Sequence, residues 1–328
     1  MASTTPTLID TSIPEIWAKD SLRKIKRETF WGRFTGGPGA PIVQKSELLN
    51  NPGDLLHIQV TDVLSGAGQN TDVAVLEGNE EALATSEIKA SPVLYRHGVR
   101  MFRRAEKKSI LDLRAEGRMR LEEWGKSKID AVRFASYVAL TLPAPLAGDP
   151  YTPNAFSVGG PSTGGVVNDI AVGDTLNVAA IQQLKLGLMV RLAKPLIIDG
   201  LPMYVLVTHP YTTYQLKQEA RYESMVREAQ VRGDANPFFR GALAIVDGVV
   251  IYEHADVPLV TNGGGVQTSK GIAFGSEFAV EALDESAVFA DKMFDYDNEY
   301  GISLRFAFHS RRALEQNSTQ VYAAAVTV

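Results

Sequence analysis

Residues Gly160-Pro161-Ser162-Thr163-Gly164 fit G-x-S-x-G, the pattern that holds an acyl-transfer serine on a strained turn between a buried strand and a helix. The flanks are "NAFSVGG" and "GGVVND", and a proline sits inside the motif itself. Neither flank supplies the strand or the helix that such a turn needs, so the segment reads as a loop. A serine hydrolase built on Ser162 is kept as the remote alternative.

The five histidines, His57, His97, His209, His254 and His309, are far apart and never spaced i, i+4, as a helical zinc pair would be. Each reads as a residue on a strand or at a strand end. "DYDNEYG" sets Asp295, Asp297 and Glu299 at alternate positions, as a calcium loop begins. Its glycine falls at the seventh position rather than the sixth, and Phe306 stands where the bidentate carboxylate belongs. This reads as an exposed turn, with a weak cation site as the alternative. The glycines near Gly66 and at Gly263 lack the further glycine or lysine of a phosphate loop. Glu80-Glu81 and Glu122-Glu123 are adjacent pairs, which diverge on a strand or a helix and so make poor acid/base partners. No catalytic, cofactor or metal set is expected.

The elements that would position any site belong to an ordinary globular chain. Of 328 residues, 45% are hydrophobic and 22% charged, enough to bury a sizeable core. Cysteine is absent, which excludes disulfides and thiolate chemistry. The opening residues carry neither the basic leader nor the apolar run of a secretory signal, and no stretch reaches the ~20 apolar residues of a membrane span. A net charge of −5 argues against a protein that grips DNA phosphates across its surface.

Periodicity divides the chain. Residues 1–53 read as an arm, with Ile13, Ile16 and Trp17 on one helical face, Leu22 and Ile25 out of phase, and "FTGGPGAP" ending any regular structure. Leu56, Ile58 and Val60 alternate with polar residues, as do Tyr95, His97, Val99 and Met101 further on. The two runs predict one long β-hairpin around a polar, acidic excursion. Residues 105–140 carry Leu113, Gly117, Leu121, Trp124, Val132 and Ala139 at near-helical spacing, which predicts a single helix of roughly 30 residues. Five prolines and five glycines between 142 and 165 predict a loop. A second helix is expected from an Asp174 cap, through Ile181, Leu184 and Leu188, to a stop at Pro195. Strands are expected at "LPMYVLVTHP", on both sides of Asp247-Gly248, at "GISLRFAFHS" and at "VYAAAVTV". Strands and helices mix without regular alternation, so the class is α+β.

Charge is unevenly placed. From Asp72 to Glu87 there are five acids and no base, and from Arg96 to Lys108 six bases and one acid. Such blocks could neutralise each other within one hairpin, form a catalytic acid/base cluster, or meet their complements on another copy.

The order of arm, charged hairpin, long helix, mixed body and final strand resembles the major capsid proteins of tailed bacteriophages with the Hong Kong 97-type fold. "VAVLEGNEEALAT", "RHGVRMFRR", "DLRAEGRMRLEEW", "NPFFRGALAIVDGVVIYEH" and "FGSEFAVEA" resemble the N4-like branch of that family, over about residues 50–310. The resemblance implies an N-terminal arm (1–53), an extended loop (54–104) reaching over a neighbour, and a peripheral domain with a spine helix and the Pro/Gly loop (105–169). An axial domain (170–290) and return strands (291–328) follow. It further implies icosahedral shells of pentamers and hexamers around double-stranded DNA, no active site and no cofactor. The implied partners are a separate scaffolding protein, a portal and a decoration protein, with assembly in the bacterial host cytoplasm. Lys89 is the only lysine between 54 and 104, and no covalent cross-link is assigned to it. An encapsulin-like nanocompartment shell is the alternative within the same fold. The candidate inter-subunit contacts are Glu77, Glu80 and Glu81 on one copy against Arg96, Arg100, Arg103 and Arg104 on another.

Overall fold

The computed structural model describes residues 29–50, 55–61, 85–109, 112–138, 155–158, 170–198, 200–230, 244–262 and 264–325, with isolated positions at 64, 66, 68, 77 and 80–83. The chain divides into two compact units. Among described residues the first takes 96–109, 112–127 and 289–304, and the second takes the rest.

In chain order the elements are β1 (Thr35–Gly36), β2 (Ile42–Lys45), α1 (Glu47–Asn50), β3 (Leu56–Thr61), β4 (Thr85–Ala90), β5 (Val93–Phe102), α2 (Arg103–Lys108) and α3 (Leu113–Tyr137). There follow β6 (Ala155–Ser157), α4 (Val178–Val190), β7 (Leu196–Ile198), β8 (Leu201–Thr208), α5 (Pro210–Gln218) and α6 (Ala220–Gln230). The last are β9 (Ala244–Val246), β10 (Val249–Glu253), β11 (Leu259–Thr261), β12 (Gln267–Phe274), β13 (Ala279–Phe294), β14 (Glu299–Arg312) and β15 (Ser318–Ala324). One sheet runs β1-β2-β13-β14-β5 and a second β6-β15-β12-β8-β10-β9, with β11 on β12 and β7 on β8, while β3 and β4 pair alone.

In the second unit the larger sheet is covered on both faces, so its central strands are apolar on both sides. Tyr204 and Leu206 of β8 face a core with Ile181, Leu184 and Leu188 of α4. Val205 and Val207 face the opposite core of Trp31, Phe134, Phe274 and Phe278. The described part of the stretch read as an arm packs into this unit: Trp31 is fully buried, and Ile42 of β2 pairs in parallel with Ala279 of β13. Ile13, Ile16, Trp17, Leu22 and Ile25 lie outside the described residues. Asp247 and Gly248 both take positive φ, 48° and 77°, as a two-residue hairpin turn requires. At Gly275 a Cβ would lie 2.1 Å from the Lys194 carbonyl oxygen, so only glycine permits that approach.

A buried ionic node joins α3 to β13 and β14 within this unit. Arg133 donates from Nε and Nη2 to the two carboxylate oxygens of Glu281, at 2.6 and 2.9 Å. Tyr137 donates to Glu281 at 3.2 Å and accepts from Ser310 at 2.5 Å. Burial, and then the Glu281 charge, push the Tyr137 hydroxyl well above its ordinary pKa, so it stays a donor. One helical turn earlier, Asp130 accepts from the Phe30 backbone N–H at 2.6 Å and lies 3.7 Å from Arg133.

Two helices differ from expectation. The long helix is 25 residues rather than about 30, because α2 stops at an extended Ser109 and α3 restarts after Asp112. The Asp112 carboxylate caps it, accepting from the N–H groups of Arg114 and Ala115. The cap of α4 is Asn177, which accepts from Ala180, while Asp174 serves the turn before it. The helix ends not at Pro195 but in a Schellman turn: Ala193 N–H bonds Leu188 O and Leu192 N–H bonds Met189 O, with Leu192 at φ 57°.

Replacing Arg133 with Met strands the Glu281 charge, and denaturant unfolding of unassembled subunit is expected to lose about 3–5 kcal/mol. The double variant R133M/E281L should regain most of it. A second expectation concerns pH. Burial lowers the His209 pKa, and burial followed by Arg311 lowers that of His309. The unfolded chain then takes up protons at higher pH than the folded one, so stability present above about pH 6.5 is lost below it. Unfolding curves between about pH 7.5 and 5.5 should show this loss, and His309→Gln should reduce it.

Candidate functional site

The charged hairpin is shorter than expected, and its return strand is β4 rather than β5. Leu56 pairs with Ala90, Ile58 with Ile88 and Val60 with Ser86, whereas β5 joins the β14 side of the five-stranded sheet. All six residues of β3 are taken up by β4, and Pro92, which has no N–H for a ladder, stands between β4 and β5. At the root, Leu56 packs on Leu48, Ala90 and Ala282. Beyond it, Leu64 and Leu83 are exposed. On the polar face Glu87 accepts from His57 at 2.9 Å and Lys89 at 2.7 Å. Hydrogen bonding to Lys89, and then to His57, holds its carboxyl below the usual range.

The seven candidate contact residues divide by environment. Glu77, Glu80 and Glu81 are all exposed, and Glu81 accepts from the Gly66 N–H at 2.7 Å, closing part of its own loop. In the first unit Arg96, Arg103 and Arg104 are exposed. Arg100 is exposed too, but it pairs with Glu299 and lies over the Phe294 ring, 4.5 Å from its centre. The start of α3 is laced by pairs on its own side, Arg114 with Glu106, Arg118 with Asp291 and Arg120 with Glu116.

The residues singled out for chemistry are not brought together. Ser162 and its motif lie outside the described residues. His57 and His97 sit on strands, His97 against Trp124. His209 accepts from the Tyr211 N–H as the cap of α5, and His254 lies between Phe30 and Phe134. His309 is on β14. Asp295 and Asp297 form the β13–β14 turn, where Asp295 takes both the backbone N–H and the side-chain amide of Asn298. Among the described residues no three His, Cys, Asp or Glu converge as a metal site, and no helix is long and apolar enough to cross a membrane.

One groove of about 490 Å³ opens in the first unit, over Gly98, Gly301 and Phe294. A Cβ at Gly301 would lie 2.7 Å from the Phe294 ring, so the glycine lets that ring lie across the strands. The charged residues of the groove already have partners, Arg100 with Glu299 and Asp291 with Arg118, while Lys292 lies 5.1 Å from the Phe294 ring centre. Ser303 donates to the Ala290 carbonyl, which leaves no nucleophile–base pair among the described lining.

Within the second unit the described residues give a buried ionic node, and the candidate contact residues are charged and exposed. Sequence reading missed the node. The signal available was the i, i+3 pair Asp130 and Arg133 among apolar neighbours on the helix, a poor place for unpaired charge.

Comparison with known proteins places the chain in a family. A family model described as phage capsid protein matches residues 18–283. The major capsid protein of Pseudomonas phage KPP25 is 26% identical over 328 residues, covering 88% of this chain and 86% of that protein. Among solved structures, the capsid of Ralstonia phage GP4 superposes with a TM-score of 0.77 at 21% identity, over 99% of each chain. The cyanophage Pam1 capsid asymmetric unit reaches 0.80 at 16% identity, over 100% of each chain. The capsid of Helicobacter pylori phage KHP30 gives 0.75 at 12%, over 99% of each. With the family match spanning most of its length and solved capsids superposing over nearly the whole chain, this chain belongs to the phage capsid proteins and has the Hong Kong 97-type fold.

Proposed function

We infer that the chain is the major capsid protein of a tailed phage, and that its β3–β4 hairpin is completed by a neighbouring copy. The carrying observation is the hairpin itself, a two-stranded sheet whose described tip exposes Leu64, Leu83, Glu77 and Glu80. Two strands alone are marginal in water. A neighbour supplies the missing contacts, with Glu77, Glu80 and Glu81 set against Arg96, Arg103 and Arg104 of the next copy, and Arg100 released from Glu299 to join them.

Exposed pairs are worth only about 0–1 kcal/mol each, so the charges set orientation and partner choice more than affinity. Repetition around a shell makes the sum large while each contact remains exchangeable during assembly. The role is structural rather than enzymatic. In this reading residues 1–53 serve as arm, 54–104 as extended loop, 105–169 as peripheral domain, 170–290 as axial domain and 291–328 as return strands. Pentamers and hexamers close around double-stranded DNA with a separate scaffolding protein, a portal and a decoration protein, inside the host cytoplasm. A net charge of −5 suits a container whose wall must not hold phosphate while DNA is packed.

The test is sedimentation and negative-stain microscopy of the full chain, expressed with its phage's own assembly factors. Wild-type chain should give shells. The E77K/E80K variant should leave folded subunits unassembled, and added R103E/R104E should restore part of the yield. Normal shells from E77K/E80K would remove the charge-pairing contact.

A further inference from the structure

The groove over Gly98 and Gly301 lies on the face of β13-β14-β5 turned away from α3. Met101 and Ile302 point to the helix, where a Cβ at Gly117 would meet both. By strand alternation Gly98, Arg100, Gly301 and Ser303 point the other way. Phe294 is on their face too, since its ring lies where a Gly301 side chain would stand. Two of the three strands line the groove with a glycine, and the third contributes Ala290. The floor is therefore almost bare of side chains, with about 490 Å³ of space above it. Small-molecule sites typically measure roughly 300–1,000 Å³, so the hollow is of that class.

Wall and rim decide what the hollow accepts. The wall is the Phe294 ring, with the Arg100 guanidinium 4.5 Å and the Lys292 ammonium 5.1 Å from its centre. A flat floor beside an aromatic ring and a planar guanidinium offers stacking surface to a flat group and little to a branched one. The charges are unequal. Arg100 is matched by Glu299. Asp291 is directed to the opposite face, where it holds Arg118 of α3. Lys292 is exposed and, among the described residues, pairs with no carboxylate. One positive charge is left in excess at the rim of an apolar hollow.

We propose that this groove is a binding site for a small aromatic anion, its ring flat on the Gly98–Gly301 floor against Phe294 and its acidic group on Lys292. A neutral aromatic molecule would leave the ammonium unmatched, and an aliphatic anion would leave the ring face bare. An aromatic anion satisfies both. Its charge partner is Lys292, not one of the arginines assigned to the hairpin contact, so the site stands apart from the capsid reading.

The test is isothermal titration calorimetry of the full chain, kept as unassembled subunit, with 2-naphthoate as the probe. Neutral 2-naphthylmethanol and non-aromatic cyclohexanecarboxylate serve as comparison compounds. Wild type should bind 2-naphthoate saturably, and each comparison compound about fivefold more weakly or worse. Lys292→Gln should weaken 2-naphthoate about fivefold and leave 2-naphthylmethanol unchanged. Its melting should stay native-like, because Lys292 is exposed. Gly301→Ala sets a Cβ 2.7 Å from the Phe294 ring, which should push the ring into the groove and abolish binding. Should G301A fail to fold, K292Q decides alone. The proposal is overturned by absence of saturable binding to wild type, or by either comparison compound binding as tightly as 2-naphthoate. Unchanged 2-naphthoate binding by K292Q, or by folded G301A, would overturn it equally.

Discussion

A carboxylate and a guanidinium can lie together in a dry interior only if each is satisfied by the other, and the Arg133–Glu281 pair meets that demand with two short parallel bonds. The geometry leaves little freedom. Glu281 stands on β13, Arg133 on α3, and the Tyr137–Ser310 link ties in β14. A shift of the helix by one residue would turn Arg133 away and leave two buried charges unpaired. The pair therefore sets the register of helix against strands, more than it adds net stability. Asp130, a turn away, uses the same helix to hold the backbone at Phe30, so the first described part of the chain is seated by the node as well.

That rigid frame stands in contrast to what projects from it. The described residues of the hairpin beyond its root are exposed and include Glu77, Glu80 and Glu81, whereas the end of α4 carries the exposed Leu192 at positive φ. The two kinds of surface suit different tasks. Charges act at long range and select orientation, and their strength falls with salt. Apolar area acts only at contact, without direction, and supplies cohesion once orientation is right. A subunit that must first meet and then hold its neighbours needs both.

Much of this was legible in the sequence, for physical reasons that vary by element. Ile302, Leu304, Phe306 and Phe308 alternate and are all buried, because a strand with one face on a core must place every second residue inward. Asp247-Gly248 named its own turn because few other residue pairs adopt positive φ twice in succession. The errors came where a local signal competed with a periodic one. Helical spacing continued across Ser109, but Asp112 offered its carboxylate to the next two amides and restarted the helix there. Alternation in β5 suggested pairing with β3, but alternation reports burial and not the partner, and β4 occupies the whole of β3. Of the site, the exposed glutamates and arginines were visible as charge blocks. The ionic node was not, because Arg133 and Glu281 are separated by 148 residues. Leu192 was hidden for another reason: a helix ending on leucine rather than glycine gives no stop signal.

The eight-stranded sheet has a consequence for the order in which the molecule can be made. Strand β15 is an interior member, paired in parallel with β6 and in antiparallel fashion with β12 from Thr268–Ala324 to Phe274–Ser318. Until residues 318–324 leave the ribosome, β6 lacks its neighbouring strand, β12 presents an open edge, and the core on the α4 side lacks Val321 and Ala323. Translation thus acts as a clock on maturation: a nascent chain can gather its helices early, but the sheet closes only when its last strand is threaded between two that have been waiting.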